Sequence, residues 1–201
     1  MSAIQELKAG TRDLHESIEK VVPLLDPALT IEVYIAYLQQ LFPFYQWVEQ
    51  NLRCVPSLRA TLEDLDERWR TGLLAIDLKG LRKACEFSLE PSLIPQPRNV
   101  PEALGCLYVL EGSTLGAQIL VRAVSSRLGA AVDGRTNFLQ SYGPALSEKW
   151  RGLCGVLNSA LAEPNDLHAA VLAARSTFDN LRKWLVCGRE QMKTMRGALS
   201  Q

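Results

Sequence analysis

The segment TRDLHESIE, residues 11–19, contains His15, one of only two histidines in the 201-residue chain. On a helix, Glu19 lies one turn after His15 and can accept a hydrogen bond from one imidazole nitrogen. Such a carboxylate orients the ring and raises the basicity of the other nitrogen toward a metal. Lys8 lies two turns earlier, about 10.5 Å along the axis, where an ammonium suits an anionic group at the rim of a large ligand. The alternative is that His15 lies at the edge of the core with its hydrogen bond made to Glu19, and that Lys8 only faces solvent.

The metal chemistry open to His15 is restricted by what surrounds it in the sequence. HESIE is one letter from H-E-x-x-H, but Glu19 stands in place of the second histidine and His168 is distant, so a three-ligand zinc site is not indicated. The paired Glu-x-x-His motifs of a helical di-iron site do not occur. A single histidine that can act as a lone axial ligand indicates haem. Without C-x-x-C-H, that haem is bound non-covalently.

A second informative segment is LGCLYVLEGSTLGAQILVRAV, residues 104–124. Small or aromatic residues at steps of three and four share one helix face: Gly105, Tyr108, Gly112 and Gly116. Each helical glycine costs about 1 kcal/mol relative to alanine, so the repetition needs a reason. The glycines permit either close packing of two helices or a flat ligand against bare backbone. Ser113 and Thr114 add hydroxyls beside that face.

The elements that carry these segments are helical throughout, because apolar residues recur at three- and four-residue steps. The His15 helix is predicted to run over 4–22, with His15 on the same face as Thr11, Ile18 and Val22. A second helix is predicted over about 30–52, with Pro43 inside it, and residues 57–86 are predicted to form one or two helices interrupted near Gly72. A further helix is predicted to begin at an Asn99 cap and to end at Leu128. The last two are predicted over about 144–161 and after an Asp166 cap. No alternating strand pattern is present, which predicts a single all-α domain.

The amino-acid composition limits which binding partners and which cellular compartment we expect. Lys plus Arg equals Asp plus Glu, at 22 each, and no basic stripe indicates a nucleic-acid partner. The N-terminus lacks the apolar core of a signal peptide, and no membrane span is expected. The five cysteines form no C-x-x-C motif, which favours reduced thiols in a cytoplasmic protein.

The two segments LKAGTRDLHESIE and YVLEGSTLGAQIL together resemble bacterial haem oxygenases, particularly the bacteriophytochrome-associated branch. The resemblance extends over nearly the whole chain, including ARSTFDNLRKWL near its end. It implies one helical-bundle domain over residues 1–201, with haem b between a proximal first helix and a distal glycine-rich helix. It also implies cleavage of haem to biliverdin, CO and Fe²⁺ with O₂. Electrons would come from a ferredoxin, flavodoxin or flavoprotein reductase, and a bacteriophytochrome is a candidate receiver of biliverdin.

The resemblance also implies roles for individual residues. His15 would be the proximal iron ligand, oriented by Glu19, and Lys8 would meet a haem propionate. The other implied contacts are Tyr108 at a propionate, Gly112 and Gly116 as the close-approach surface, Phe178 packed on the macrocycle, and Arg122, Arg175 and Arg182 as weaker propionate candidates. Ser113 stands where the animal-type pattern has an aspartate that organises waters. The catalytic set is therefore His15, Gly112, Ser113 and Gly116, with no general acid assigned.

Three other functions remain compatible with these patterns. A non-catalytic haem carrier or sensor would use the same pocket and hold haem intact. An unrelated helical enzyme, such as a thiaminase-like protein, would bind no haem. A helical interaction domain would use the glycines only to pack helices. Haem chemistry explains His15, Glu19 and the glycine face together.

Overall fold

A computed structural model describes residues 2–84 and 91–198 of the chain, with side chains as far as residue 188. The helices follow one another as α1 (Ala3–Glu19), α2 (Ile31–Arg53), α3 (Leu58–Thr61), α4 (Thr71–Gly80), α5 (Val100–Leu128), α6 (Asn137–Gln140), α7 (Leu146–Ala160) and α8 (Pro164–Ala198). Short 3₁₀ turns connect several of them. No strand occurs within the described ranges, and the predicted all-α domain is confirmed.

The first helix is shorter than its sequence pattern predicts. Ser2 caps α1 by accepting from the backbone N–H of Gln5 in a capping box, and the helix ends at Glu19 ahead of the 3₁₀ turn Pro23–Leu25. Val22 therefore does not share a helix face with His15, contrary to the prediction. Thr11 and Ile18 are buried, whereas the His15 side chain is 56% exposed. His15 lies at the edge of the buried stripe.

The second helix begins and ends within a residue of its predicted bounds. The hydroxyl of Thr30 accepts from the backbone N–H of Val33, and α2 continues through a buried Pro43 to Arg53. Its inner face contributes Tyr45 and Glu49, which are both 2% exposed. These two polar side chains become important at the site.

The region after α2 is more broken than predicted. Residues 62–70 separate α3 from α4, so the interruption precedes Gly72 instead of falling on it. The reason is tertiary: a carboxylate oxygen of Glu49 accepts from the backbone N–H groups of Arg70 at 2.6 Å and Thr71 at 3.1 Å. A buried side chain of α2 thus satisfies the otherwise unpaired donors at the start of α4. The end of this predicted segment, including Cys85, lies outside the described residues.

The central helix of the bundle is α5. Asn99 accepts from the backbone N–H of Glu102 at 2.9 Å, as the sequence predicts, and α5 packs most extensively against α8, which also packs against α1. The stretch 100–132 is long and apolar enough in composition to cross a membrane, but more than half of its most apolar part is buried inside the protein. It is a core helix of this bundle.

One of the three glycines on α5 serves close packing. A Cβ at Gly105 would lie 2.2 Å from the carbonyl oxygen of Ala170 on α8, a separation that atoms cannot adopt. Both main chains must therefore move apart if a side chain is introduced. The helix-packing explanation holds for Gly105.

We expect Gly105→Ala to lower the free energy of unfolding by roughly 1–3 kcal/mol. The overpacking penalty exceeds the gain of about 1 kcal/mol in helix propensity. Urea unfolding followed by far-UV circular dichroism measures the change. Gly116→Ala is the matched comparison, because a Cβ there meets nothing within 4 Å, and it should stabilise by up to about 1 kcal/mol. Shifts of the same sign in both variants would contradict the packing assignment.

The described cysteines carry no disulfide. Cys54, Cys106, Cys154 and Cys187 are free. Burial raises the pKa of the Cys106 thiol to about 11, so it is protonated at neutral pH and is not a reactive thiolate.

Candidate functional site

The first and fifth helices meet one turn from the residues that the sequence analysis selected. The side chain of Thr11 on α1 lies close enough to the hydroxyl of Tyr108 on α5 to lower the pKa of that hydroxyl, against the larger rise that burial causes. The Thr11 hydroxyl itself donates to the carbonyl of Leu7 at 2.7 Å. One turn, about 5.4 Å, separates this junction from His15 on α1 and from Gly112 on α5. The fold therefore brings the histidine helix and the glycine helix to one place.

The imidazole of His15 is held by two side chains. Its Nδ1 lies 3.4 Å from Oε1 of Glu19, and its ring meets the edge of Phe178 on α8 with ring centres 5.8 Å apart at 75°. The sequence alone placed Glu19 here, whereas only the fold brings Phe178. Because Nδ1 faces the carboxylate, Nε2 is the nitrogen left to bind a metal.

In the described part of the chain, His15 is not part of a larger cluster of metal-ligating side chains. There, no group of three or more His, Cys, Asp or Glu side chains could hold a metal ion. His168, predicted to be a surface residue, is exposed on α8. The donor set is one imidazole nitrogen, which suits an iron whose other ligands come from a macrocycle.

Beyond the Tyr108 junction, α5 presents bare backbone. A Cβ at Gly116 would meet nothing within 4 Å, and one at Gly112 would meet only the ring of Trp150, at 3.8 Å. Two large apolar side chains on the same helix, Leu115 and Ile119, are 42% and 64% exposed. We call the side of α5 formed by Gly112, Leu115, Gly116 and Ile119 the open face of α5. It is apolar, and at Gly116 its backbone is open to a broad planar ligand.

The two hydroxyls predicted beside this face are placed differently. Ser113 donates to the carbonyl of Leu110 at 2.6 Å, and its Oγ lies 3.4 Å from the hydroxyl of Tyr45. Thr114 is 2% exposed and donates to the carbonyl of Glu111 at 2.7 Å. The prediction that Thr114 lies at the opening is wrong, because its position on α5 points into the core. The polar pair at the site is Ser113 with Tyr45.

The candidate propionate partners separate into free and paired cations. Within the described residues, Lys8 and Arg122 are exposed and form no ion pair. Arg175 holds both carboxylate oxygens of Asp13, at 2.8 and 2.9 Å, and thereby ties α8 to α1. Arg182 pairs with Asp179 at 3.1 Å. Only the first two are available to an anionic ligand without breaking an existing contact.

A group of buried charges directly precedes Gly112, and the sequence analysis missed it. The carboxylate of Glu111 accepts from Arg68 at 2.6 Å, from Arg70 at 3.2 Å and from the Tyr142 hydroxyl at 2.9 Å to each oxygen. We call these four residues the buried ion cluster. A carboxylate inside the apolar run CLYVLEG was the available signal, because a buried acid requires cationic partners.

The chain matches the family model described as Heme oxygenase over residues 1–186. Among solved structures it is similar to the NO- and CO-bound heme oxygenase from Neisseria meningitidis, with 25% identity, 94% of this chain and 92% of that chain covered, and a TM-score of 0.78. Heme oxygenase from Leptospira interrogans has the same fold at 15% identity, 92% and 98% coverage and a TM-score of 0.70.

A CADD-like protein of unknown function from Nostoc punctiforme shares the fold at 18% identity, 93% and 98% coverage and a TM-score of 0.59. No curated protein matches the chain. The family match spans most of the chain, including the His15 helix, the open face of α5 and Phe178 on α8. The chain therefore belongs to the heme oxygenase family of haem-degrading oxidoreductases.

Proposed function

We propose that this enzyme cleaves haem b to biliverdin, CO and Fe²⁺, using O₂ and electrons from a separate donor. The observation that supports this is the placement of His15 and the open face of α5 one turn from a shared junction, Thr11 with Tyr108. A planar macrocycle held there would have an imidazole on one side and bare helix backbone on the other.

On the proximal side, Nε2 of His15 is the proposed iron ligand. Glu19 and Phe178 restrict the rotation of the ring, since the carboxylate lies 3.4 Å from Nδ1 and the centre of the phenyl ring lies 5.8 Å from the centre of the imidazole. A carboxylate at Nδ1 also makes the imidazole a better donor to iron.

On the distal side, Gly112 and Gly116 let the backbone approach the ring closely. The haem supplies the iron that activates O₂ and is also the molecule that is cleaved. The protein orients it and excludes water with the apolar side chains Leu115 and Ile119. Ser113 and Tyr45 provide the hydroxyls that can hold ordered water on this side, in place of the aspartate of the animal-type pattern.

The partners follow from the same proposal. Electrons would come from a ferredoxin, a flavodoxin or a flavoprotein reductase, and biliverdin would pass to a bacteriophytochrome. The resemblance of the two sequence segments to the bacteriophytochrome-associated branch supports the second partner, and a cytoplasmic location suits both.

Addition of one equivalent of hemin, followed by reductant in air, tests the function. A Soret band that forms and then decays, with new absorption from biliverdin, is the expected result. A Soret band that persists would indicate a haem carrier or sensor, and the proposal would be wrong. The absence of any band would contradict haem binding altogether.

We expect Lys8→Ala to change which meso carbon is cleaved more than it changes affinity for hemin. An exposed ion pair to a propionate contributes up to about 1 kcal/mol, or roughly fivefold in Kd, yet it fixes the in-plane rotation of the ring. Chromatography of the biliverdin isomers measures the change. Lys20→Ala, which alters an exposed lysine just beyond α1, is the control, and an isomer ratio equal to that control would contradict the role of Lys8.

A further inference from the structure

The buried ion cluster meets α5 at Glu111, the residue directly before Gly112 of the open face. The side chains of Glu111, Arg68 and Arg70 are 3%, 1% and 4% exposed. Removing an ion from water is unfavourable unless partners compensate. Asp64 provides part of this compensation, because it accepts from Arg68 at 2.7 and 2.9 Å and from Lys149 at 2.9 Å. The carboxylates of Glu111 and Asp64 thus face the two guanidinium groups and one ammonium.

The cluster joins α5 to two separate parts of the fold, the connection that leads into α4 and the segment before α7. Arg68 belongs to the 3₁₀ turn before α4, Arg70 leads into α4 and is fixed by Glu49, and Tyr142 precedes α7. The guanidinium of Arg70 also lies 4.7 Å from the centre of the Tyr142 ring. All three contacts converge on one carboxylate. Glu111 therefore fixes both the depth and the rotation of α5 at the residue before Gly112.

This anchoring matters because of the glycines that follow it. Gly112 and Gly116 have no side chains with which to hold the helix in place, and a Cβ at Gly116 would meet nothing within 4 Å. The position of the open face must come from residues that flank it on the buried side. Glu111 and Thr114 are the buried polar residues of this stretch, and Thr114 bonds only within its own helix.

The charges of the buried ion cluster also affect the pKa of a hydroxyl on the distal side. Burial raises the pKa of Tyr45, Arg70 opposes that rise, and Glu49 and Glu111 add to it. Tyr45 in turn lies 3.4 Å from Ser113. Arginine does not release its proton in proteins, so the two guanidinium groups act on this site through position and charge.

We propose that Glu111 is a positioning residue for haem degradation: through Arg68, Arg70 and Tyr142 it fixes the open face of α5 over the ring and sets the electrostatic potential at Ser113 and Tyr45. This inference rests on the proposed function.

Glu111→Gln tests the charge, because it keeps the shape of the side chain and removes its negative charge. Water bound to ferric iron loses a proton as the pH rises, which changes the visible spectrum of the hemin complex. Loss of a nearby negative charge favours the deprotonated form, so this transition should move to lower pH by roughly half to one unit. The biliverdin isomer ratio should also broaden.

Two further variants separate charge from position. Glu111→Asp keeps the charge but shortens the reach, and Tyr142→Phe removes one donor to Glu111 without removing any charge. Both should broaden the isomer ratio and leave the spectral transition within about 0.2 pH unit of wild type. Either variant also serves if Glu111→Gln does not fold.

Glu148→Gln, which neutralises an exposed acid on α7, is the control. Glu111 variants that match this control in both the spectral transition and the isomer ratio would overturn the inference. Wild-type protein that binds and cleaves hemin in the same experiment keeps that failure distinct from failure of the proposed function.

Discussion

Replacement of His15 by alanine is expected to remove the normal axial ligation of bound hemin and to abolish haem cleavage. The structure supplies one imidazole at this site, with Nδ1 beside Glu19 and the other nitrogen free. Within the described residues, no group of three or more His, Cys, Asp or Glu side chains could hold a metal ion without it. Absorption spectra of the hemin complex in the ferric and ferrous states, with turnover measured in parallel, give the result.

Added imidazole provides a rescue for this variant. Removal of the exposed side chain leaves space beside Phe178 in which free imidazole can supply the missing nitrogen. It should restore the spectrum, and with it part of the turnover. His168→Ala removes the other histidine, on the surface of α8, and should behave as wild type. An unaltered hemin spectrum in His15→Ala would contradict the ligand assignment.

Gly116→Leu is expected to leave the protein folded and to lower hemin affinity by at least about 100-fold. A side chain at this position meets nothing within 4 Å in the protein, and leucine exceeds glycine in helix propensity by up to about 1 kcal/mol. The free energy of unfolding should therefore stay equal or rise. The same side chain would stand on the open face of α5 and hold a planar ligand away from the backbone, which is the reason for the lost affinity.

Hemin titration and urea unfolding of the same preparation separate the two effects. Gly155→Leu on α7 is a matched control, because a Cβ at Gly155 also meets nothing within 4 Å, and it should gain stability without losing hemin. Undiminished hemin binding by Gly116→Leu would show that the ligand does not lie on this face. A large loss of stability would assign Gly116 to packing, as for Gly105.

The sequence alone determined what depends on residues close together along the chain. Helical periodicity predicted the all-α fold, and the caps at Thr30 and Asn99 predicted where α2 and α5 begin. The pair His15 and Glu19 follows from a spacing of one turn, because helix geometry fixes which side chains share a face. The resemblance of the two segments indicated the family, which the family model confirms.

The tertiary structure decided which role each of several residues has, where the sequence pattern around them is the same. Gly105, Gly112 and Gly116 lie on one helix face, but only Gly105 contacts the backbone of another helix. Phe178 reaches His15, and Arg70 reaches Glu111, only because distant parts of the chain pack together. Burial and long-range ion pairing depend on this packing and leave no periodic signal in the sequence. The division between packing glycines and open glycines, and the ion cluster behind them, therefore became visible only in the fold.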